Sequence, residues 1–319
     1  MALGVEIVEL PNDRLNFDFA DAPRRAYVDA KATLAVVVAP PSKRKFQPIA
    51  PSADWRVDLA EGCPAHCSYC YLAGSLKGPP ITRVYANLDE ILSVLPRYMD
   101  EGTITSRSAA RAHEGTTFEA SCYTDPLALE HVTGSLSRMI DWFGRSETAT
   151  QLRFTSKFAD VAPLLALDHG GKTRMRASIN PASYARFEGG TAPVAQRLAA
   201  LRRMADAGYP VGLTIAPIMA ADGWEEAYGM LLADAAALLG DTPDLTIELI
   251  THRFTGGSKA VLDSWYPGSA LDMTKAQRTT KRTKFGTEKQ VYDTATMKSL
   301  RAWSTAEIAR VLPRARVLY

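Results

Sequence analysis

From about residue 55 onward, short apolar runs alternate with longer segments of helical period. Strand-like runs cover residues 55–60, 117–121, 151–157, 174–180, 211–218 and 245–251. The helical segments that follow them are 88–101, 127–143, 159–167, 192–207, 224–239 and a short piece near 259–264. Six strands each followed by a helix require a parallel sheet with right-handed crossovers, either doubly wound or curled into a partial (β/α)6 TIM-type barrel. Both forms gather ligands at the carboxyl ends of their strands. The loop after Ala60, residues 121–125, Lys157, residues 178–180, 216–217 and 252–253 are therefore expected to face one mouth.

Residues 1–54 read as an irregular lead-in with one strand-like run at 34–39, followed by the link PPSKRKFQPIAP. Residues 55–255 hold the barrel pattern, and 256–319 form a C-terminal extension. A chain of 319 residues can bury a large core. Its 46% hydrophobic and 23% charged residues exclude wholesale disorder. No apolar run reaches the roughly 18 residues needed to span a bilayer, and the start MALGVEIVELPNDRL carries acids where a signal peptide needs a basic flank. The expectation is a cytoplasmic protein with no membrane partner.

Charge changes the picture only when the chain is divided. The net charge is +2, yet residues 253–319 hold thirteen Lys and Arg against five Asp and Glu, so the excess of cations lies at the C-terminal end. Within residues 275–289 there are six cations and one acid, a density suited to the phosphates of a nucleic acid or, equally, to a solvated basic surface.

The chemistry concentrates in EGCPAHCSYCYLAG, directly after the first strand, where Cys63, Cys67 and Cys70 follow a C-x3-C-x2-C spacing. Three thiolates on one short loop can cap three irons of a [4Fe–4S] cubane and leave the fourth open to an outside ligand. The rival is zinc with His66 or Cys122 as fourth ligand, although no second Cys/His pair supplies the usual paired knuckles.

The spacing, on a loop after the first strand of a β/α array, resembles the radical S-adenosylmethionine (SAM) superfamily. The phrases CSYCYLAG, RVYANLDEIL, FEASCYTD, INPASYARFEGGT, GLTIAPI, GWEEAY and IELITHRFT narrow the resemblance to the spore photoproduct lyase family, with a weaker match over residues 284–292. The resemblance implies a radical SAM partial barrel with a C-terminal basic hairpin. It also implies a [4Fe–4S] cluster and S-adenosyl-L-methionine as cofactors, and double-stranded DNA carrying a thymine lesion as substrate. An electron donor such as flavodoxin or ferredoxin is implied as partner. The implied reaction is reversal of a thymine dimer through hydrogen abstraction at C6, followed by return of hydrogen from a cysteine. A radical SAM enzyme of the same architecture acting on another nucleic-acid or small-molecule substrate is the alternative.

Residue by residue, the resemblance assigns Cys63, Cys67 and Cys70 to the cluster and Cys122 to hydrogen donation. Tyr69 and Tyr71 are assigned to passing the radical back toward SAM. Thr124, Asp125, Lys157, Ser178, Asn180 and Ala216 become the SAM contacts, and Lys284, Phe285 and Lys289 the hairpin residues that meet DNA. Two departures stand out. Lys284–Phe285 occupy the place of Arg–Tyr, and Tyr123–Thr124 the place of Thr–Ser.

Overall fold

The computed structural model describes residues 5–12, 15, 19–75, 80–276, 278–282 and 288–319. Its central sheet contains β1 (Ala53–Val57), β2 (Thr116–Ala120), β3 (Thr150–Ser156), β4 (Thr173–Ile179), β5 (Val211–Ile218) and β6 (Thr246–Thr251). Each strand pairs in parallel with the next in chain order. The short strand Gln47–Ile49 lies antiparallel on the free edge of β1, and Arg316–Val317 lies parallel on β6. The order never reverses, so there is no topological switch point. Right-handed crossovers then put the connections on one face, and the sheet curls into a half barrel. This decides between the two forms that the sequence pattern allows.

The helices of eight or more residues are α1 (Pro23–Lys31), α2 (Pro126–Thr133), α3 (Ser135–Gly144), α4 (Val194–Asp206), α5 (Trp224–Leu239), α6 (Gly256–Trp265) and α7 (Thr294–Val311). None among the described residues is long and apolar enough to cross a membrane. Three predicted helices change form. The segment 88–101 splits into a short helix, Leu88–Leu92, and a 3-10 turn, Leu95–Tyr98, because Pro96 cannot continue an α-helix. The segment 127–143 is two helices, broken where Gly134 adopts φ +58°. The segment 159–167 keeps only the 3-10 turn Ala162–Leu164, which contains Pro163.

Side chains alternate along each strand, so two faces have different chemistry. One parity buries Phe118, Leu152, Phe154, Met175, Leu213 and Ile247 in the core shared with the helices, including Leu136, Met139, Phe143, Leu198 and Leu201. Each such side chain contributes roughly 1.5–3 kcal/mol. The other parity brings Glu119, Arg153, Arg176, Thr214 and Glu248 inside the barrel. Glu248 accepts from Arg153 at 2.8 Å and from Arg176 at 2.7 Å, and Arg176 also bonds Glu119. The main chain of Tyr319 closes on β6, its carbonyl accepting from Leu249 N at 2.8 Å.

The lead-in and the C-terminal extension both contribute to the barrel's core: Tyr27, Ala39 and Phe46 from the first, and Leu262, Leu300, Ile308 and Leu312 from the second. Residues 256–319 do include the expected hairpin, β7 (Arg278–Arg282) antiparallel to β8 (Glu288–Tyr292). Lys284 and Phe285 lie outside the described residues.

Candidate active site

The cysteine loop leaves the carboxyl end of β1 and is fixed from several sides. Gly62, at φ +78°, must be glycine, since a Cβ there would lie 2.3 Å from the Ile81 carbonyl oxygen. The two-residue strand His66–Cys67 pairs antiparallel with Glu188–Gly189, and Ser68 N donates to Phe187 O at 2.9 Å. Lys31 Nζ donates to Cys63 O and, at 2.6 Å, to Ala65 O. Cys70 precedes the 3-10 turn Tyr71–Gly74, which packs beneath α6 where Gly74 approaches Ser258. Cys63, Cys67 and Cys70 thereby line one cavity of about 360 Å³.

The same cavity is lined by Tyr69, Tyr71, Cys122, Thr124, Asp125, Lys157, Ser178 and Ala216, drawn from the ends of four strands and the cysteine loop. Cys122 reaches it because Ser121 turns the chain through φ +57° at the end of β2. That turn is held by Ser121 N donating to Val57 O at 2.7 Å and by Leu59 N donating to Ser121 Oγ at 2.9 Å. The Tyr71 hydroxyl donates to the Cys122 carbonyl, joining the cysteine loop to the fourth cysteine. Burial, with Glu119 and Asp58 adding to it, pushes the Cys122 thiol well above the usual range, so it stays protonated at neutral pH.

The polar wall is organised around a residue that sequence reading missed. Glu188 accepts from Lys157 at 2.7 Å, from Asn180 at 3.3 Å and from the Tyr69 hydroxyl, and forms an ion pair with Arg197 at 2.6 Å. Burial alone would raise its pKa, but Lys157 and Arg197 hold it at about 2. Of the two cations only Lys157 lines the cavity, with the Asp125 carboxylate on its other side. Glu188 had a signal, since it closes the phrase INPASYARFEGGT just before Gly189 and Gly190. Asn180 stands behind the wall, its Oδ1 accepting from Tyr228 at 3.2 Å, and does not line the cavity.

Asp125 serves first as the N-cap of α2. Its carboxylate accepts from Ala128 N at 3.3 Å, Ser156 Oγ at 2.8 Å and Lys157 N at 2.7 Å. Thr124 is the opposite case: its Oγ1 is buried beside the cavity with no hydrogen-bond partner among the described residues, so it is free to bond a molecule bound there. Ser178 Oγ lies 3.5 Å from Ala216 O, a weak contact. The departure at Tyr123 leaves the cavity untouched. Its ring packs against Arg56, 4.5 Å away, and its hydroxyl accepts from Arg56 at 3.1 Å.

The basic hairpin is anchored at the same mouth. Phe254 and Gln290 exchange backbone hydrogen bonds, and Arg278 donates to His252 O at 2.8 Å while stacking on Tyr292 at 3.7 Å. His252 and Arg253 line the cavity itself. Across the hairpin Lys281 stands directly opposite Lys289.

Three thiols on one rigid loop fit a cluster that takes three protein ligands and leaves one iron open. His66, the zinc alternative's ligand on this loop, is exposed with its Nδ1 3.3 Å from the Tyr27 hydroxyl, and it does not line the cavity. A half barrel with this loop at the carboxyl end of its first strand defines a radical SAM enzyme. The sequence matches the profile of the spore photoproduct lyase family over residues 13–319. It is 40% identical over 296 residues to the spore photoproduct lyase of Geobacillus sp. (strain Y412MC61), covering 92% of this chain and 83% of the relative. The Bacillus subtilis (strain 168) spore photoproduct lyase is 39% identical over 297 residues, with the same coverage. Among solved structures, a spore photoproduct lyase mutant with dinucleoside spore photoproduct superposes with a TM-score of 0.87 at 38% identity, covering 96% of this chain and 87% of that one. A mutant with bound AdoMet and dinucleoside spore photoproduct gives 0.85 at 37% identity, covering 98% and 87%. The chain belongs to the spore photoproduct lyase family.

Proposed function

We propose that this chain is a radical SAM lyase that reverses spore photoproduct, a thymine dimer, in double-stranded DNA. The observation that carries the proposal is the placement of Cys122, a thiol kept protonated by its surroundings, on the same cavity as Cys63, Cys67 and Cys70. Cys63, Cys67 and Cys70 would hold a [4Fe–4S] cluster which, with S-adenosyl-L-methionine bound, supplies the 5′-deoxyadenosyl radical.

The protein's own residues do the rest. Thr124 Oγ1 offers an unused hydroxyl to SAM. Lys157, the cation that lines the cavity, offers its ammonium to the carboxylate of SAM. Ser178 and the Ala216 backbone border the same space, while Asp125 orders the loop from behind. Cys122 gives a hydrogen atom from S–H to the thymine radical left after C6 abstraction and bridge cleavage, and Tyr71, whose hydroxyl bonds the Cys122 carbonyl, returns a hydrogen atom to the thiyl sulfur. Tyr69, committed to Glu188, is the less free of the two phenols.

The hairpin supplies DNA contact. Like charges directly opposite on two strands repel, and Lys281 and Lys289 are held in that position with Arg253 nearby. A backbone phosphate between them removes the repulsion. An external one-electron donor of the flavodoxin or ferredoxin kind completes the cycle.

The test is anaerobic reconstitution followed by reaction with SAM, dithionite and dinucleoside spore photoproduct. The expected result is 5′-deoxyadenosine formation together with restored thymidines. Formation of 5′-deoxyadenosine without restored thymidines would overturn the substrate assignment.

A further inference from the structure

The cysteine loop has a second face. Because adjacent residues of a strand point to opposite sides, Cys67 turns toward the cavity and His66 turns outward, where its side chain is exposed. Its ring lies over Gly190, where a Cβ would come within 2.9 Å of His66 Cδ2, and Gly189 faces the His66 Cβ. The missing side chains make room for the imidazole.

Behind His66 stands a compact aromatic group contributed by α1 and the end of α6. The Tyr27 hydroxyl lies 3.3 Å from His66 Nδ1, and the Tyr27 ring stacks on Trp265 at 4.8 Å and meets Tyr266 edge-on at 5.3 Å. Tyr27 and Tyr266 also share a hydroxyl–hydroxyl bond. Two cations sit on this group. Arg24, exposed, lies 5.6 Å from the Tyr27 ring centre and 5.5 Å from that of Tyr266, and donates to Trp265 O at 2.7 Å. Lys31 lies 5.6 Å from the Tyr27 ring and holds the carbonyls of Cys63 and Ala65. Neither cation meets a carboxylate within ion-pair distance among the described residues, although Lys and Arg elsewhere in the molecule commonly do.

We infer that this outward face of the cysteine loop, with Arg24 exposed at its rim and Lys31 bracing the loop from within, is the docking surface for an acidic one-electron carrier protein. The inference rests on the radical SAM reading above. The cavity side of the loop must admit SAM and a DNA lesion, so an electron supplied by a second macromolecule has to arrive from another side. The outward face offers a path of packed rings ending at His66, covalently next to Cys67. Arg24, exposed and without a carboxylate at ion-pair distance among the described residues, favours a partner of negative charge by steering. The carrier is oxidised by one electron and the cluster is reduced by one, with no proton or further reactant needed.

The experiment uses the reconstituted holoenzyme and a purified, fully reduced flavodoxin of net negative charge. Its oxidation is followed by anaerobic stopped flow as the salt concentration is varied. The second-order rate constant is expected to fall steeply with salt, and Arg24→Glu is expected to lower it about tenfold or more. Arg24→Lys should recover most of the loss. Iron content and dithionite-driven 5′-deoxyadenosine formation should not change in either variant. If Arg24→Glu does not accumulate as folded protein, Arg24→Gln carries the same test with a smaller loss, alongside the salt dependence of the unmodified protein. A rate constant indifferent to salt and to Arg24, or an equal loss with dithionite, overturns the inference. If dithionite-driven repair of spore photoproduct fails while flavodoxin oxidation keeps its dependence on Arg24 and salt, the substrate reading falls and the docking face stands.

Discussion

Two of the sets of charged side chains near the cavity could hardly be treated more differently. Inside the barrel Arg153, Arg176, Glu119 and Glu248 are almost wholly removed from water and bond one another. On the hairpin Lys281 and Arg282 are exposed and Lys289 half-buried, and the one ion pair among its described residues, Arg282 with Glu288, is a loose 3.7 Å. The same residue types are structural in the first place and open to an outside partner in the second. Solvent makes the difference. A buried charge must find its counterion within the protein, whereas an exposed one can wait for a phosphate.

The largest expected effect comes from breaking the buried set. Glu248→Ala leaves Arg153 and Arg176 facing each other in the interior with only Glu119 to share, and should cost about 3–5 kcal/mol of stability in urea denaturation. A loss below about 1 kcal/mol would mean that water or a neighbour replaces the carboxylate, and the contrast between the two regions would fail. The pH dependence has a definite sign. Burial works to raise the Glu248 pKa, but Arg176 and Arg153 hold it at about 2, against an ordinary value of 4.5. Its contribution is therefore fully present above pH 4.5 and is lost as pH falls toward 2. Glu188 behaves alike, because Lys157 and Arg197 hold it at about 2. Stability measured from about pH 5 downward should fall steeply, and Glu248→Gln should flatten part of that slope.

A second prediction separates the cluster wall from the thiol that faces it. Cys122→Ala should keep its iron and continue to cleave SAM, while the yield of restored thymidines falls about tenfold or more, equivalent to at least about 1.4 kcal/mol of barrier. Unaltered products and yield would remove Cys122 from the reaction. Because its thiol is pushed up, repair in the unmodified protein should not decline as pH rises through the ordinary cysteine value of about 8.5. A thiol of ordinary pKa would lose its hydrogen there. The measurement is product analysis between about pH 7 and pH 9 under fixed dithionite.

The hidden and the conspicuous charges also explain what could be read in advance. Strand–helix alternation gave the parallel sheet, and strand ends gave the mouth, since period-two patterning is local and survives folding. The cysteine spacing is equally local. Pro96 and Gly134 interrupt the helices expected at 88–101 and 127–143, and both are ordinary breakers inside long apolar runs. Glu119, Arg176 and Glu248 give no such signal, because a charge inside a strand reads as a solvent-facing position and only closure of the sheet turns that parity inward. Glu188 is hidden for a similar reason. Its partners Lys157 and Arg197 lie 31 and 9 residues away, and nothing in the order of residues announces that they converge. Asp125 stands where a ligand for SAM is expected, and the structure gives it the duty of an N-cap, because a carboxylate at a strand end suits either role until its neighbours are known. The hairpin cations are plain from density alone, yet their register, Lys281 across from Lys289, comes only from the paired strands.

The smallest expected effect belongs to those two lysines, and it sharpens the contrast most. Replacing Lys281 or Lys289 with Ala removes a like-charge repulsion across the hairpin, so folding stability should hold or rise slightly, by about 0.2–1 kcal/mol. Duplex affinity should nevertheless fall, and the slope of log affinity against log salt should become shallower by about 0.9 for each phosphate no longer neutralised. Fluorescence anisotropy with a labelled duplex between low and moderate salt reads both the affinity and the slope. A stability loss comparable to that of Glu248→Ala would place these lysines with the structural charges. An unchanged salt slope would take them out of the DNA interface. The interior charges give the reciprocal check: conservative variants there that remain folded should leave the salt slope as it is, since these side chains already pair with one another and are almost wholly removed from water.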